Sequence, residues 1–236
     1  LSLEENPCYN LLYPLLADSS WTYDVLARGD TYHIQMAVPS TSGTQAQMDL
    51  AALPSGFSTQ SSFDCNNGGL YNLPLTTTGM LVNDILKGTL SFQPVSGELS
   101  PTFDELEAAG WYLSWNGSYL ASGTGVLHFQ GNTYSLSLNQ APLTVACQTA
   151  GTGEAAFESV TVQAGTFHAL KVTCTIAVKA TVAMNNWSVT GDVNGHFTEW
   201  YAPYIGLVKL LPDWIYVTSR LFGFAVSVAN SGGDLV

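Results

Sequence analysis

Apolar and polar residues alternate with a period of two along several long stretches of this chain. In the longest, Leu170, Val172, Cys174, Ile176, Val178, Ala180 and Val182 alternate with Lys171, Thr173, Thr175, Ala177, Lys179 and Thr181. Such alternation puts one set on each face of a β-strand. At about 3.3 Å per residue this run alone extends about 43 Å. That exceeds an ordinary strand, and strands so long belong to strongly twisted or curved sheets. Tyr134, Leu136 and Leu138 repeat the theme, as do Trp187, Val189 and Val193.

Turn residues punctuate these runs. Gly29-Asp30, Gly131-Asn132 and Ala164-Gly165 suit tight hairpins, and Asn194-Gly195 is the strongest hairpin signal. A two-residue loop there would bring Trp187, Val189 and Trp200 onto one face. Gly68-Gly69 reads as a turn and Gly232-Gly233 as a tail. Helix signals are scarce. Thr102 with Glu105 fits a capping box, acids fill the first turn, and Gly110 fits a stop. Residues 78–87 are ambiguous between helix and strand. The expected fold is mainly β, a β-rich α+β arrangement. It is one long, strongly curved antiparallel sheet or half-barrel with one or two short helices. No long amphipathic helices separate the strands, which excludes βαβ units. Residues 1–236 read as a single domain. A weak repeat, with Trp21 and Trp111 each opening a strand, suggests two related halves (about 1–88 and 101–228) sharing that sheet.

Composition narrows the setting. Of 236 residues, 46% are hydrophobic and only 10% charged, against about a quarter charged in an average domain. No stretch reaches the roughly 18 apolar residues of a membrane-spanning helix. The net charge of −12 excludes binding driven by nucleic-acid phosphates and docking on anionic lipid. Cys8, Cys65, Cys147 and Cys174 make an even count without CxxC spacing, so a zinc finger or ribbon is not expected. Charge poverty and richness in Ser, Thr, Asn and Gly point to an extracytoplasmic protein, secreted or attached to the cell envelope. Disulfides are stable there. Of the three pairings, Cys8–Cys65 and Cys147–Cys174 are favoured, each within its own half. The start at Leu1 reads as a trimmed mature segment, from which a targeting signal with or without a lipid anchor has been removed.

Two stretches carry a family resemblance. One is Asn6-Pro7-Cys8 through Tyr13-Pro14 to Trp21-Thr22-Tyr23. The other is FESVTVQAGTFHALKV over 157–172, followed by EWYAP over 199–203 and GLVK over 206–209. Together they resemble uncharacterised bacterial envelope proteins and lipoproteins whose curved sheet is similar to that of LolA-type lipoprotein carriers. The resemblance implies an apolar concave face that holds acyl chains or another apolar partner. It implies no catalytic residue.

Candidate chemistry is sparse. His33, His128, His168 and His196 show no zinc-protease spacing. Asp192, Asn194, His196 and Glu199 cluster in sequence but are explained by an exposed hairpin tip, so no metal is expected. No GxSxG elbow occurs. Asp104, Glu105 and Glu107 sit where a helix start accounts for them. No cofactor is implied. Asn116-Gly-Ser and Asn186-Trp-Ser match glycosylation sequons. Six Trp, eleven Tyr and ten Phe are the stronger feature, since aromatic surfaces serve apolar ligands and sugars alike. The expected ligand-facing set is Trp111, Trp115, Trp187, Val189 and Trp200. Trp111 and Trp115 would share a strand face. The expected function is non-enzymatic binding of a lipid or other apolar ligand on the concave face. The alternatives are a cell-surface interaction or adhesion module and, with least support, a hydrolase.

Overall fold

Long alternating strands dominate the chain in a computed structural model that describes residues 6–27, 30–53, 57–66, 69–71, 89, 91–129, 132–184, 187–218, 223–227 and 232–236. The first half is β1 (Ser20–Ala27), β2 (Asp30–Ser42), β3 (Gln45–Leu53), β4 (Phe57–Asn66), β5 (Gly69–Tyr71) and β6 (Ser91–Ser100). The helix α1 (Phe103–Ala108) follows. Then come β7 (Ser114–Phe129), β8 (Asn132–Thr149), β9 (Phe157–Val162), β10 (Gly165–Met184), β11 (Trp187–Ala202), β12 (Gly206–Thr218), β13 (Gly223–Ser227) and β14 (Gly232–Leu235). All belong to one antiparallel sheet.

The sheet curls further than a half-barrel. Strands β1 to β8 pair in sequence order, β8 pairs with β10, β10 with β11 and β11 with β12. The far edge of β12 then meets β14 through Lys209↔Asp234 and Leu210↔Gly233. On its other side β14 pairs with β1, from Tyr23↔Leu235 to Leu26↔Gly232. The strand order thus returns to β1, but only through this short link. Beyond it the same edge of β12 is taken by β13, and the sheet stays open along the rest of that seam among the described residues. The glycine pair at 232–233 is therefore not a tail. A Cβ at Gly233 would sit 3.2 Å from a Val25 methyl, so the residue lets β14 approach β1 closely.

Alternation decides what lies inside. Val25, Ile34, Met36, Val38, Met48, Leu50, Phe63, Leu143, Val145, Val172 and Val208 are all buried. One end of the curl is plugged by residues 6–19, where Leu12 and Leu15 are buried and Cys8 is tied to Cys65. Asn10 closes the plug's turn. Its amide donates to the Pro101 carbonyl at 2.9 Å and accepts from the Leu12 and Tyr13 N–H groups. Helix α1 adds the fully buried Leu106. Its capping box forms as the sequence predicts, with Thr102 and Glu105 each accepting the other's backbone N–H. Both favoured disulfides are present.

The hairpin expected at Asn194-Gly195 is absent. Asn194 and Gly195 lie inside β11, paired with Ala177 and Ile176 of β10 and with Tyr216 and Ile215 of β12. The reversal falls between Met184 and Trp187, which pair across it. A turn at 194 would have forfeited ladders on both sides of a long central strand, and that outweighs a local turn preference. Three other hairpins form one residue earlier than expected, because Ala27 pairs with Asp30, Phe129 with Asn132 and Val162 with Gly165. Residues 78–87 lie outside the described residues.

Candidate functional site

The inner faces of β10 and β11 build the site. In β10 the inward set is Val172, Cys174, Ile176, Val178 and Ala180. Their partners on β11 are Glu199, Phe197, Gly195, Val193 and Gly191. Directly opposed residues of paired strands share a face, so these ten line one inner surface. Its lower part is dense. Val172 and Cys174 are buried, Phe197 nearly so, and the Cys147–Cys174 bridge joins β8 to β10 there.

Packing loosens one step higher. Ile176, Val178 and Val193 are only partly buried although they face inward and touch the core. A Cβ built on Gly195, which faces Ile176, would meet no atom within 4 Å. Among the described residues the inner face therefore carries a partly exposed apolar patch beside open space at Gly195.

Below the patch sits a polar group that the sequence reading did not single out as inward. Glu199 accepts a hydrogen bond from the Tyr201 hydroxyl at 2.8 Å, and its carboxylate lies 3.7 Å from Cys174 Sγ. The ring of Tyr13 packs 5.4 Å from that of Tyr201. No cation pairs with Glu199 among the described residues. Enclosure away from water raises its pKa from 4.5 to about 7, against the Tyr201 hydrogen bond, which lowers it. Burial likewise pushes Tyr119 up to about 12 and raises Tyr13 and Tyr201. Glu199 could have been found by parity, since it shares the odd positions of Val193, Phe197 and Tyr201.

This carboxyl makes stability depend on pH. Its folded pKa lies above the unfolded value, so the folded chain holds the proton more tightly. The penalty is absent below pH 4.5 and grows as pH rises, becoming complete above about 7. Its size is up to about 3 kcal/mol. Glu199→Gln should flatten this slope. Urea unfolding at pH 5 and pH 8 should show the wild type losing about 2–3 kcal/mol more than the variant. Parallel profiles would show that the carboxyl is solvated.

The expected ligand-facing aromatics do not form one surface. β7 begins at Ser114, so Trp111 belongs to the turn after α1 and does not share a strand face with Trp115. It has φ +64° and packs edge-on against Phe103 and Phe157, at 5.3 and 4.9 Å. Trp115 lies at an inward position of β7, opposite Cys147, and packs against the core. Trp200 is on the outer face. It is 7% exposed, its indole N–H donates to Glu158 Oε1 at 2.5 Å, and Lys171 Nζ lies 5.4 Å from its ring centroid. The side chains of Trp187 and Val189 fall outside the described residues. Without the hairpin at 194–195 the register that joined them to Trp200 is gone, since positions 187 and 200 are an odd number apart in one strand. The sequence cluster of Asp192, Asn194, His196 and Glu199 is likewise split, because Glu199 has the opposite parity to the other three.

A family model described as DUF3108-like matches residues 154–210. Among solved structures the chain is similar to a candidate lipoprotein of Parabacteroides distasonis, with a TM-score of 0.52 and 16% identity over 96% of this chain and 97% of that one. It is also similar to a candidate exported protein with a YmcC-like fold from Bacteroides fragilis, with a TM-score of 0.48 and 14% identity over 96% and 97% of the two chains. A comparison with curated proteins gives no match. The Parabacteroides likeness extends the fold over nearly the whole chain. Both disulfides, with no free cysteine among the described residues, place the protein in an oxidising, extracytoplasmic compartment.

Proposed function

We propose that this is an extracytoplasmic, non-enzymatic binding protein that holds a lipid acyl chain or similar apolar group against the inner face of β10 and β11. The observation that carries the reading is the gap beside Gly195, bordered by the partly buried apolar residues Ile176, Val178 and Val193. Apolar surface left beside open space is a loss that an apolar ligand makes good, at roughly 25 cal/mol per Å² covered. The LolA-type reading of the sequence places its partner on the same concave side. Among the described residues, buried side chains such as Leu12 and Leu15 fill the end of the curl that residues 6–19 occupy, so the proposed ligand lies beside Gly195 and not there. A packed interior serving only as core is the interaction-module alternative.

The test fills the gap. Gly195 pairs in register with Ile176 of β10, next to a register shift toward β12, and a side chain there meets open space among the described residues. The wild type should bind a dansyl-labelled undecanoic acid, and Gly195→Leu should weaken that binding at least tenfold, about 1.4 kcal/mol. Its unfolding free energy should hold or rise. If the wild type does not bind the probe, or the variant binds it equally well, the reading fails and the interaction module stands in front.

A further inference from the structure

The opposite face of the same strands carries a separate concavity. A trough of about 440 Å³ crosses β7, β8, β10, β11 and β12 on the outside of the sheet. Its walls are outward side chains in two parallel rows. Gln148 and Thr173 are directly opposed in one row. In the other, Asn116 faces Ala146, Ala146 faces Thr175, and Thr175 faces His196, with Asp213 at the end of the trough. Alanine in the middle of that row keeps it low.

What distinguishes this trough is unspent hydrogen-bonding capacity. On the outer face of β2 to β4 polar side chains satisfy one another. Gln60 donates to Asp49 at 2.7 Å, Gln45 to Asp64 at 3.3 Å and Ser40 to Gln47 at 3.4 Å. In the trough, Asn116, Gln148 and Asp213 have no side-chain partner among the described residues. Thr173 and Thr175 make only long contacts of 3.4 and 3.5 Å to strand carbonyls. The His196 ring is held edge-on to Tyr216, 5.6 Å between centroids.

The chemistry of these groups selects the ligand. Among the described residues no Lys or Arg lines the trough, and the chain is strongly acidic, which disfavours phosphate, sulfate and other anions. The apolar residues of the lining, Trp115, Cys147, Cys174 and Phe197, sit at inward positions of these strands, so among the described residues no outward row of apolar side chains is offered to an acyl chain. What remains is a dense set of neutral amides and hydroxyls, one imidazole and one carboxylate. Amides both donate and accept, and a carboxylate accepts twice, which matches the adjacent hydroxyls of a sugar ring. The volume lies within the range of small-ligand sites, and the exposed Tyr216 beside His196 offers a ring face to sugar C–H groups. We propose that this outer trough binds a short, neutral oligosaccharide, independently of the inner patch.

Calorimetric titration of the full chain with maltohexaose, cellohexaose and chitohexaose tests it. At least one should bind, and Asn116→Ala and His196→Ala should each weaken it at least tenfold. Both residues are exposed, so the variants should unfold at the wild-type urea midpoint. Gly195→Leu should leave saccharide binding unchanged, which separates this site from the inner one. The proposal is overturned if none of the three sugars binds at millimolar concentration. It is equally overturned if both alanine variants bind like wild type, or if inorganic phosphate or a neutral Gly-Ser peptide binds more tightly than every sugar.

Discussion

Replacing Cys8 and Cys65 together by alanine is expected to lower the unfolding free energy by about 4 kcal/mol. The bridge joins residues 57 apart in sequence, so it removes much of the freedom of the unfolded chain. It is also the covalent tie between the plug and the sheet. Both cysteines are buried in the same core as Leu12, Leu15 and Phe63, and truncation adds a small packing loss. The Cys147–Cys174 bridge spans 27 residues within strands that already pair. Its removal should cost less, about 3–4 kcal/mol at most. Urea unfolding of the two double variants measures both. A loss under about 1 kcal/mol for the Cys8–Cys65 variant would mean that the plug stays docked in the denatured ensemble or contributes little to folding.

Trp200→Ala should cost about 3–5 kcal/mol of stability and leave binding of the dansyl probe unchanged. The indole is almost wholly covered, and its N–H is spent on Glu158. Lys171 lies over the ring and pairs with Glu158 at 3.4 Å. Cutting the ring away opens a cavity and removes one of that carboxylate's two partners, leaving it Lys171 alone. The ring stands on the outer face, away from the proposed ligand. A small stability loss combined with lost probe binding would put the ligand on the outer face instead and contradict the assignment of the inner patch.

Parity made much of this fold legible. The alternation from Leu170 to Ala180 is the inward and outward pattern of β10, and the Thr102–Glu105 pair announced α1 on local grounds alone. Cysteine pairing within each half followed from an even count and compartment. Asn194-Gly195 misled because turn propensity is local, whereas β11 is held by ladders on both sides. The return of the sheet to β1 could not be read from Gly232-Gly233. Four residues with two glycines carry almost no strand signal, and their role comes from closeness to Val25. At the site, the sequence pointed to tryptophans, the largest side chains. The structure draws attention to a residue without a side chain, Gly195, whose meaning depends on what stands opposite. Glu199 was read as part of a hairpin tip, and losing that hairpin moved it to the interior.

The central claim is that the inner face holds an apolar ligand, and native mass spectrometry of the protein purified from its own host tests it most directly. The account predicts a population carrying one bound lipid-sized adduct, released by organic solvent and depleted in Gly195→Leu. A single ligand-free mass for the wild type in gentle buffer, together with no adduct after incubation with host lipid extract, would contradict it.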